Sequence, residues 1–283
     1  MPELPEVEHV VRALRRVVLG RRIMAAEMKL PRLLAGSSPA SFKRKLRGAR
    51  IDDVGRRGKY ILIGLNSKPG SATDQVLLVH LRMTGKFLCV GTDEPLPPYH
   101  HVVFYLDDDR RLVFCDMRQF GRMRLLARKA LAKLPQIQAL APEPLSEDFS
   151  FDYFVETLSQ SRRCLKQLLL DQTRVLGLGN IYASEALFLA GISPLKAANS
   201  LSKKRALRLH QAIRDILQEA IDAGSTLRID FGDGNGSYFG TTERFWRVYE
   251  RQGEPCVNCG AAIRRVVQGG RSTYFCPRCQ RRS

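Results

Sequence analysis

The chain has 283 residues, of which 44% are hydrophobic and 26% charged, a balance that is typical of folded globular domains and excludes a disordered chain. Its 46 lysines and arginines exceed its 28 aspartates and glutamates, which gives a net charge of +18 and favours a polyanionic partner such as nucleic acid. A ribosomal or membrane-surface protein would share this charge, but no run approaches the ~18 apolar residues of a membrane span, so we expect no membrane-spanning segment.

The chain begins with the octapeptide MPELPEVE. Removal of Met1 would leave Pro2 with a free secondary amine directly beside the carboxylate of Glu3. An α-amine titrates near ~7.7–8.0, so a useful fraction is unprotonated and nucleophilic at neutral pH, whereas a lysine needs burial or a cationic neighbour to reach that state. The simpler interpretation is that Pro2 only permits removal of Met1, and the octapeptide by itself does not exclude it.

The segment after the octapeptide predicts one helix followed by a β-rich domain. Apolar residues recur at steps of three and four up to Val18, which indicates an amphipathic helix ended by Gly20. Short β-prone runs then alternate with turn residues, and the aspartates at 107–109 predict a hairpin, whereas residues 66–75 predict a longer exposed loop. We therefore predict a mostly antiparallel β-sandwich with a helix at its start. The β-prone runs lie at 61–65, 76–81, 86–90, 101–106 and 111–115.

A proline-containing segment separates this domain from a helical one. Residues 133–147 contain three prolines and predict an interdomain linker. Beyond it the apolar period becomes helical, and the clearest helix extends over 206–221 and stops at Gly224. Residues 226–240 are rich in glycine and predict a loop. The resulting domains are a sandwich at 1–132, a helical domain at 148–248 and a small module at 249–283.

A Gly-Leu-Gly turn lies inside the helical domain, within residues 169–185, and a new helix is predicted from Asn180. Asparagine is a strong N-cap residue, and helix N-termini beside glycines let backbone N–H groups approach an anion. A nucleotide phosphate loop is the alternative, but the pattern GxxxxGK[ST] is absent and the glycines follow a helix instead of a strand. Arg162, Arg163 and Lys166 add positive charge just before this turn, although a solvated surface would explain them equally well.

The C-terminal module contains two Cys-x2-Cys pairs separated by sixteen residues. Each pair bends the backbone so that two thiolates face one ion, and two pairs complete a tetrahedral zinc site. Disulfides are the alternative, which a reducing cytosol disfavours. A module this small cannot bury a core, so one structural zinc ion without an open coordination position would supply its folding energy. The predicted ligands are Cys256, Cys259, Cys276 and Cys279.

Three polar segments interrupt the predicted strands of the sandwich. They are the cationic run RRGKY at 56–60, the segment HLRMTGKF at 80–87 and the segment DMRQFG at 116–121. Taken alone, the first is an ordinary basic surface. Met83 and Phe120 would most simply be core residues, as most methionines and phenylalanines are.

Together and in this order, these segments resemble the motifs of the formamidopyrimidine-DNA glycosylases, bifunctional enzymes of base-excision repair. The resemblance extends from the octapeptide to GRSTYFCP at 270–277 and so covers nearly the whole chain. It implies an α+β multidomain fold: an N-terminal antiparallel β-sandwich with a flanking helix, a helical helix–two-turns–helix domain and a four-cysteine zinc-ribbon-like β-hairpin finger. The departures are His9 in place of threonine, the loop at 66–75 and Tyr99-His100-His101 in place of His-x-His, so the pattern does not decide which of these rings would meet phosphate.

The resemblance also implies roles for four catalytic residues. Pro2 would attack C1′ of the damaged nucleotide, displace the base and form a cationic iminium ion. Glu3 would protonate the opening deoxyribose ring, and Lys59 would assist the proton transfers. Arg271 would hold a phosphate and aid the second of two successive eliminations, which cut the strand on both sides of the abasic site.

The remaining motifs would hold damaged double-stranded DNA, the partner that the resemblance implies. A base that is flipped out leaves a hole in the stack and an orphaned partner base. Met83 and Phe120 would fill this hole, and Arg118 would hydrogen-bond to the orphaned base. Asn180 would contact a phosphate. The expected DNA-contacting residues are His80, Met83, His100, Arg118, Phe120, Arg162, Lys166 and Asn180.

The expected substrates are oxidised purines, namely 8-oxoguanine and formamidopyrimidines. The nearest alternative is endonuclease VIII, which shares the architecture but prefers oxidised pyrimidines, and Leu4 stands where that enzyme usually has glycine. A second alternative is a non-catalytic DNA-binding protein of the same fold, which the presence of Pro2, Glu3 and Lys59 disfavours. We expect a monomer that is cytoplasmic and associated with the nucleoid.

Overall fold

The computed structural model describes residues 2–66, 74–224 and 246–281. These residues fall into two compact units: an N-terminal unit with residues 2–138, and a C-terminal unit with residues 139–223 and 246–281. The predicted loop at 66–75 lies largely outside the described residues, and the predicted loop at 226–240 lies wholly outside them.

Within the described residues, the N-terminal unit contains two four-stranded antiparallel sheets, as the alternating β-prone runs predicted. The first sheet has the strand order β2-β3-β4-β8 and the second the order β1-β6-β7-β5. The strands are β1 (Ile23–Met28), β2 (Arg50–Arg57), β3 (Tyr60–Asn66), β4 (Gln75–His80), β5 (Gly85–Gly91), β6 (His100–Leu106), β7 (Arg110–Asp116) and β8 (Arg122–Ala127). The helices are α1 (Leu4–Val18), α2 (Pro39–Leu46), α3 (Arg128–Leu131) and α4 (Pro135–Gln138), with a 3₁₀ turn at Pro31–Leu33.

One hydrophobic core joins α1, α2 and both sheets. The apolar stripe of α1 is buried along its whole length, which is why its three- and four-residue spacing could be recognised in the sequence. Phe87 and Phe114 meet edge to face in this core at 5.3 Å between ring centroids. The predicted hairpin at 107–109 joins β6 to β7, with Asp109 in the left-handed region at φ 57°.

The C-terminal unit is helical and ends in a β-hairpin. The predicted helix at 206–221 lies within a longer helix, α8. The elements are α5 (Phe151–Ser159), α6 (Leu165–Leu169), α7 (Asn180–Leu189), a 3₁₀ turn at Ala198–Ser200, α8 (Lys203–Gly224), β9 (Arg264–Gln268) and β10 (Arg271–Phe275). β9 and β10 pair antiparallel. The finer division into a linker at 133–147, a helical domain at 148–248 and a finger at 249–283 remains a prediction.

A buried carboxylate anchors the chain that enters the hairpin module. Glu185 of α7 is fully buried and accepts hydrogen bonds from three consecutive backbone N–H groups at 2.9, 2.9 and 3.0 Å, those of Arg247, Val248 and Tyr249. Such bonds satisfy the charge of a buried carboxylate that would otherwise be costly. Val248 then packs with Phe188 and Ile263 beside the cysteines. None of the helices that the structure describes is long and apolar enough to span a lipid bilayer.

Candidate active site and nucleic-acid interface

Pro2 and Glu3 are buried at the N-terminus of α1. Glu3 is the N-cap residue, and its backbone N–H donates to Oε2 of Glu6 at 2.8 Å as part of a capping box. Met1 lies outside the described residues. The capped helix thus fixes Pro2 and its neighbouring carboxylate in one place, which a frayed chain end would not do.

Lys59 lies in the two-residue turn that joins β2 to β3, and it is only 5% exposed. Gly58 occupies the first turn position with φ 54°, a conformation that favours glycine in tight hairpins. A buried lysine is rare unless it has partners or a function. The proton-transfer role that the family resemblance implies for Lys59 remains a prediction.

The start of α1 is tied to the strand that leads to Lys59. Glu8 of α1 accepts a hydrogen bond from Arg56 of β2 at 2.8 Å and another from Arg12 at 3.0 Å. Burial by itself would raise the pKa of Glu8, but the hydrogen bonds and charges of Arg12 and Arg56 outweigh it and hold this pKa below its ordinary value. Pro2 and Lys59 are therefore carried by two elements that an ion pair connects.

His80 is buried at the end of β4, the strand next to β3 in the sheet. It pairs across the sheet with Tyr60, and the two rings meet edge to face at 4.8 Å. Burial lowers the pKa of His80 to about 3, assisted by the charges of Arg82 and Lys59, so the ring is neutral near pH 7. Its Nδ1 accepts from the backbone N–H of Arg82 at 3.0 Å, which leaves the ring proton on Nε2. The predicted contact of His80 with DNA remains a prediction.

Met83 and Phe120 are exposed on two loops, and the simpler interpretation that they are core residues is wrong. Met83 is 42% exposed and Phe120 is 48% exposed. The guanidinium of Arg118 lies 4.9 Å from the centroid of the Phe120 ring, within cation–π distance. Arg82 and Gln119, in the same two loops, adopt left-handed backbone conformations at φ 57° and 59°. Strained backbone of this kind clusters at functional sites.

The structure separates the roles of the three neighbouring rings at 99–101. His101 is buried, and its Nε2 donates to the carbonyl of Asp116 at 2.8 Å. Nδ1 of His100 donates to the carbonyl of Pro97 at 2.7 Å, so its Nε2 accepts from the ammonium group of Lys29. His101 thus has a structural role, whereas both ring nitrogens of His100 are engaged by Pro97 and Lys29, and its contact with DNA remains a prediction.

In the C-terminal unit, the carbonyl of Ser272 in β10 accepts two side-chain hydrogen bonds. The ammonium group of Lys166 donates to it at 2.8 Å, and the side-chain amide of Asn180 donates to it at 3.0 Å. Lys166 is only 1% exposed, so the expectation that it contacts DNA directly is corrected: it holds the hairpin beside Arg271. Arg162, by contrast, is exposed.

The N-cap prediction for α7 also needs correction. Gly179 is the N-cap residue, and Asn180 is the first residue of the helix. Its Nδ2 is engaged by Ser272, while its Oδ1 is buried and has no hydrogen-bond partner among the residues that the structure describes. The asparagine therefore joins the helix to the hairpin instead of capping the helix.

The four cysteines of the finger converge on one point. All four sulfur atoms lie within 4.8 Å of one another, with 3.9 Å from Cys256 to Cys279 and 3.5 Å from Cys259 to Cys276. Tetrahedral zinc with Zn–S bonds of ~2.3 Å separates its sulfurs by ~3.8 Å, whereas a disulfide needs ~2.05 Å. The geometry thus fits one zinc ion and excludes disulfides. With all positions filled by sulfur, the metal stabilises the module and has no place for a substrate.

Family models match three consecutive parts of the chain. The Formamidopyrimidine-DNA glycosylase N-terminal domain matches residues 1–123, the Formamidopyrimidine-DNA glycosylase H2TH domain residues 140–230, and the zinc finger found in FPG and IleRS residues 253–282. The chain belongs to the formamidopyrimidine-DNA glycosylase family. It is thus a DNA glycosylase of base-excision repair with abasic-site lyase activity, the activity of that family.

Curated relatives and solved structures agree with this assignment along the whole chain. The formamidopyrimidine-DNA glycosylase of Heliobacterium modesticaldum is 44% identical over 99% of this chain and 100% of the relative, and that of Bacillus subtilis is 41% identical over 99% of both. A complex of Lactococcus lactis Fpg with abasic-site DNA matches at a TM-score of 0.88 and 36% identity, covering 99% of both chains. A complex of the same protein with Fapy-dG DNA matches at 0.87 and 35%, covering 99% of this chain and 100% of that one.

Some residues that shape the site of this glycosylase were missed by the sequence analysis. Asp116 and Thr84 join the two loops that carry Met83, Arg118 and Phe120. Both lie inside segments that the motifs singled out, but their spacing carries no signal for the bonds they form. Ser272 contributes only a backbone carbonyl, which no residue pattern can reveal.

Proposed function

We propose that this glycosylase excises oxidised purines from duplex DNA with Pro2 as its nucleophile, and that it cuts the strand by β- and δ-elimination. The observation that carries the proposal is the buried pair of Pro2 and Glu3 at the capped start of α1. An amine beside a buried carboxylate is the arrangement that nucleophilic attack with proton transfer requires.

In the first stage, a bond from C1′ to the Pro2 nitrogen would replace the N-glycosidic bond to the damaged base. The Pro2 nitrogen attacks C1′, and the N-glycosidic bond breaks, so that the base leaves with the bonding electron pair and takes up a proton. Glu3 then donates a proton to O4′ as the C1′–O4′ bond opens, and the nitrogen, having lost its own proton, forms a C=N⁺ bond to C1′. Lys59, buried in the β2–β3 turn, would move protons in these steps.

The second stage would use the iminium as an electron sink. Loss of a proton from C2′ expels the 3′ phosphate, and loss of a proton from C4′ expels the 5′ phosphate. Arg271 would hold one phosphate during the second elimination. It directly precedes Ser272 in β10, whose carbonyl accepts hydrogen bonds from Lys166 and Asn180. Water hydrolyses the remaining iminium and restores Pro2.

Borohydride trapping tests the nucleophile. The iminium that Pro2 forms should be reduced to a stable protein–DNA adduct, and an N-terminal extension that converts this amine into an amide should abolish trapping and strand cleavage together. DNA binding should survive, because the predicted phosphate contacts of Asn180 and Arg271 do not involve the amine. Wild-type protein, shown by intact mass to have lost Met1, is the control.

Lys59→Ala separates the proton shuttle from the nucleophile. Excision should slow by ~10²–10⁴-fold, the range for loss of general acid–base catalysis, while trapping on a preformed abasic site persists. If the extended protein still cross-links and Lys59→Ala does not, the lysine is the nucleophile and the assignment to Pro2 is wrong.

The lesion class needs its own test. Leu4 favours the purine enzyme over endonuclease VIII, so duplexes with 8-oxoguanine should be cut faster than duplexes with thymine glycol. The reverse order of rates would assign the enzyme to oxidised pyrimidines.

Because one chain carries the nucleophile, the stack-filling loops and the finger, we expect a monomer to suffice for activity, acting in the cytoplasm on nucleoid DNA. Analytical ultracentrifugation checks the oligomeric state.

A further inference from the structure

Asp116 is a fully buried carboxylate that the reaction described above does not use. It ends β7 and lies between the β4–β5 loop, which carries Met83, and the β7–β8 loop, which carries Arg118 and Phe120. A buried charge is costly unless hydrogen bonds satisfy it, so its partners indicate its purpose.

The Asp116 carboxylate bonds to both loops at once. Its Oδ1 accepts from the hydroxyl of Thr84 in the first loop, and its Oδ2 accepts from the backbone N–H of Gly121 in the second at 2.7 Å. The Thr84 hydroxyl oxygen in turn accepts from the backbone N–H of Arg118 at 3.0 Å. Thr84, in the first loop, therefore holds the second loop in two ways: it accepts from the backbone of Arg118, and it donates to Asp116, which also binds Gly121.

The backbone of Asp116 is itself held in place. Its N–H donates to the carbonyl of Tyr99 at 3.0 Å, and its carbonyl accepts from the buried ring of His101 at 2.8 Å. The first bond is to the residue just before β6 and the second is to β6 itself, an interior strand of its sheet, so Asp116 is a rigid point from which two loops can be positioned.

Two glycines show how tightly the loops fit around this network. A Cβ at Gly121 would lie 2.7 Å from Cζ of Phe114 and 3.1 Å from Oδ2 of Asp116. A Cβ at Gly85 would lie 2.4 Å from the carbonyl oxygen of Leu81. Neither position has room for a side chain, so both glycines allow a close approach of the backbone around the network of Asp116.

We propose that Asp116, through Thr84, is a positioning residue that sets the two stack-filling loops relative to each other. Met83, Phe120 and Arg118 then enter the DNA as one unit, and Arg118 reaches the orphaned base in a fixed orientation. This inference rests on the proposed role of these three side chains. It makes opposite-base discrimination depend on a hydroxyl and a carboxylate that do not touch DNA.

The matched pair Thr84→Val and Thr84→Ser tests the inference. Valine has the shape of threonine without the hydroxyl, whereas serine keeps the hydroxyl. We expect Thr84→Val to slow excision of 8-oxoguanine opposite cytosine by ~10²-fold, the typical effect of a small misplacement, and to bring the rate ratio between opposite cytosine and opposite adenine towards one. Thr84→Ser should keep the wild-type ratio. Borohydride trapping on single-stranded abasic DNA, which has no orphaned base, should be the same in both variants.

If Thr84→Val only reduced the amount of folded protein, the measured rates would change in a different pattern. Loss of folded protein lowers both duplex rates and single-strand trapping in proportion and leaves the opposite-base ratio unchanged, so an unchanged ratio in Thr84→Val would overturn the inference. Asp116→Asn keeps the shape of the side chain and tests the same network should Thr84→Val not fold. Arg118→Ala is the reference: if it also leaves the ratio unchanged, the proposed role of the loops has failed, and not only their positioning by Asp116.

Discussion

Two titratable side chains of the N-terminal unit, both removed in part from solvent, differ in the charge they carry. His80 loses its charge because it is buried beside Arg82 and Lys59, so it does not titrate between pH 5 and 8 as an ordinary histidine would. Glu8 keeps its charge although it is half-buried, because two arginines bond to it. At the residue scale, the partner of a titratable group decides whether burial removes its charge.

The ion pair of Glu8 and Arg56 predicts a pH-dependent stability. Because the folded-state pKa of Glu8 lies below its ordinary value of 4.5, this residue stabilises the fold above that pH, and the stabilisation is lost as the pH falls through the lowered pKa. Glu8→Gln should therefore lower the free energy of unfolding at pH 7 by ~1 kcal/mol, with the gap to wild type closing below pH 4.5. Denaturant unfolding at several pH values measures this. The exposed Glu147→Gln is the control and should show neither effect.

At the element scale, one backbone carbonyl joins the hairpin to two helices. The ammonium group of Lys166 in α6 and the amide of Asn180 in α7 both donate to Ser272 in β10. Hydrogen bonds to charged groups contribute ~1.5–3 kcal/mol each, so Lys166 is the stronger of the two anchors. The position of Arg271, one residue before Ser272, depends on it.

Lys166→Met should distinguish this anchoring role from a phosphate contact. Methionine keeps the apolar stem but loses the ammonium group, so affinity for abasic duplex DNA should fall ~10-fold through displacement of Arg271. If Lys166 acts only through Arg271, Lys166→Met should weaken binding little further in an Arg271→Ala background, whereas loss of a direct phosphate contact of Lys166 would weaken binding in that background as well. The exposed Lys203→Met removes the same charge and serves as the control.

The finger is an element that its metal holds together. Chelation of zinc, or Cys276→Ser, should unfold the module that contains the four cysteines and weaken DNA binding, while the sandwich stays folded. Limited proteolysis and DNA titration measure the two effects. Cys164→Ser changes a cysteine outside the cluster and should leave both unchanged. Full affinity in protein that lacks stoichiometric zinc would contradict the prediction.

On the scale of the whole molecule, the net charge of +18 is the property that we expect to contribute most to non-specific DNA binding. Lysines and arginines that neutralise phosphates release counterions from DNA, and this term dominates non-specific affinity. Log K for undamaged duplex should therefore fall linearly with log salt, at ~0.9 per phosphate neutralised. Titrations between low and physiological salt measure the slope. A nearly flat response would show that the positive charge does not serve DNA binding.

The spacing of residues along the sequence was sufficient to predict several structural features of this protein. The two Cys-x2-Cys pairs predicted the zinc site, the apolar stripe predicted α1, and the aspartates at 107–109 predicted the β6–β7 hairpin. In each case the residues that form the feature are close in the chain, so their spacing alone fixes the geometry. The octapeptide and the other motifs, taken in order, were sufficient to predict the family.

Tertiary structure alone decided which side chains are exposed and what the buried ones hold. Met83 and Phe120 are exposed, as the family resemblance implied although their residue types favour the core, and Lys166 is buried although its type favours the surface. The partner of Lys166 lies 106 residues away and that of Thr84 lies 32 residues away. Because burial and hydrogen bonding depend on segments that folding brings together from distant positions, no pattern within either segment could have predicted these contacts.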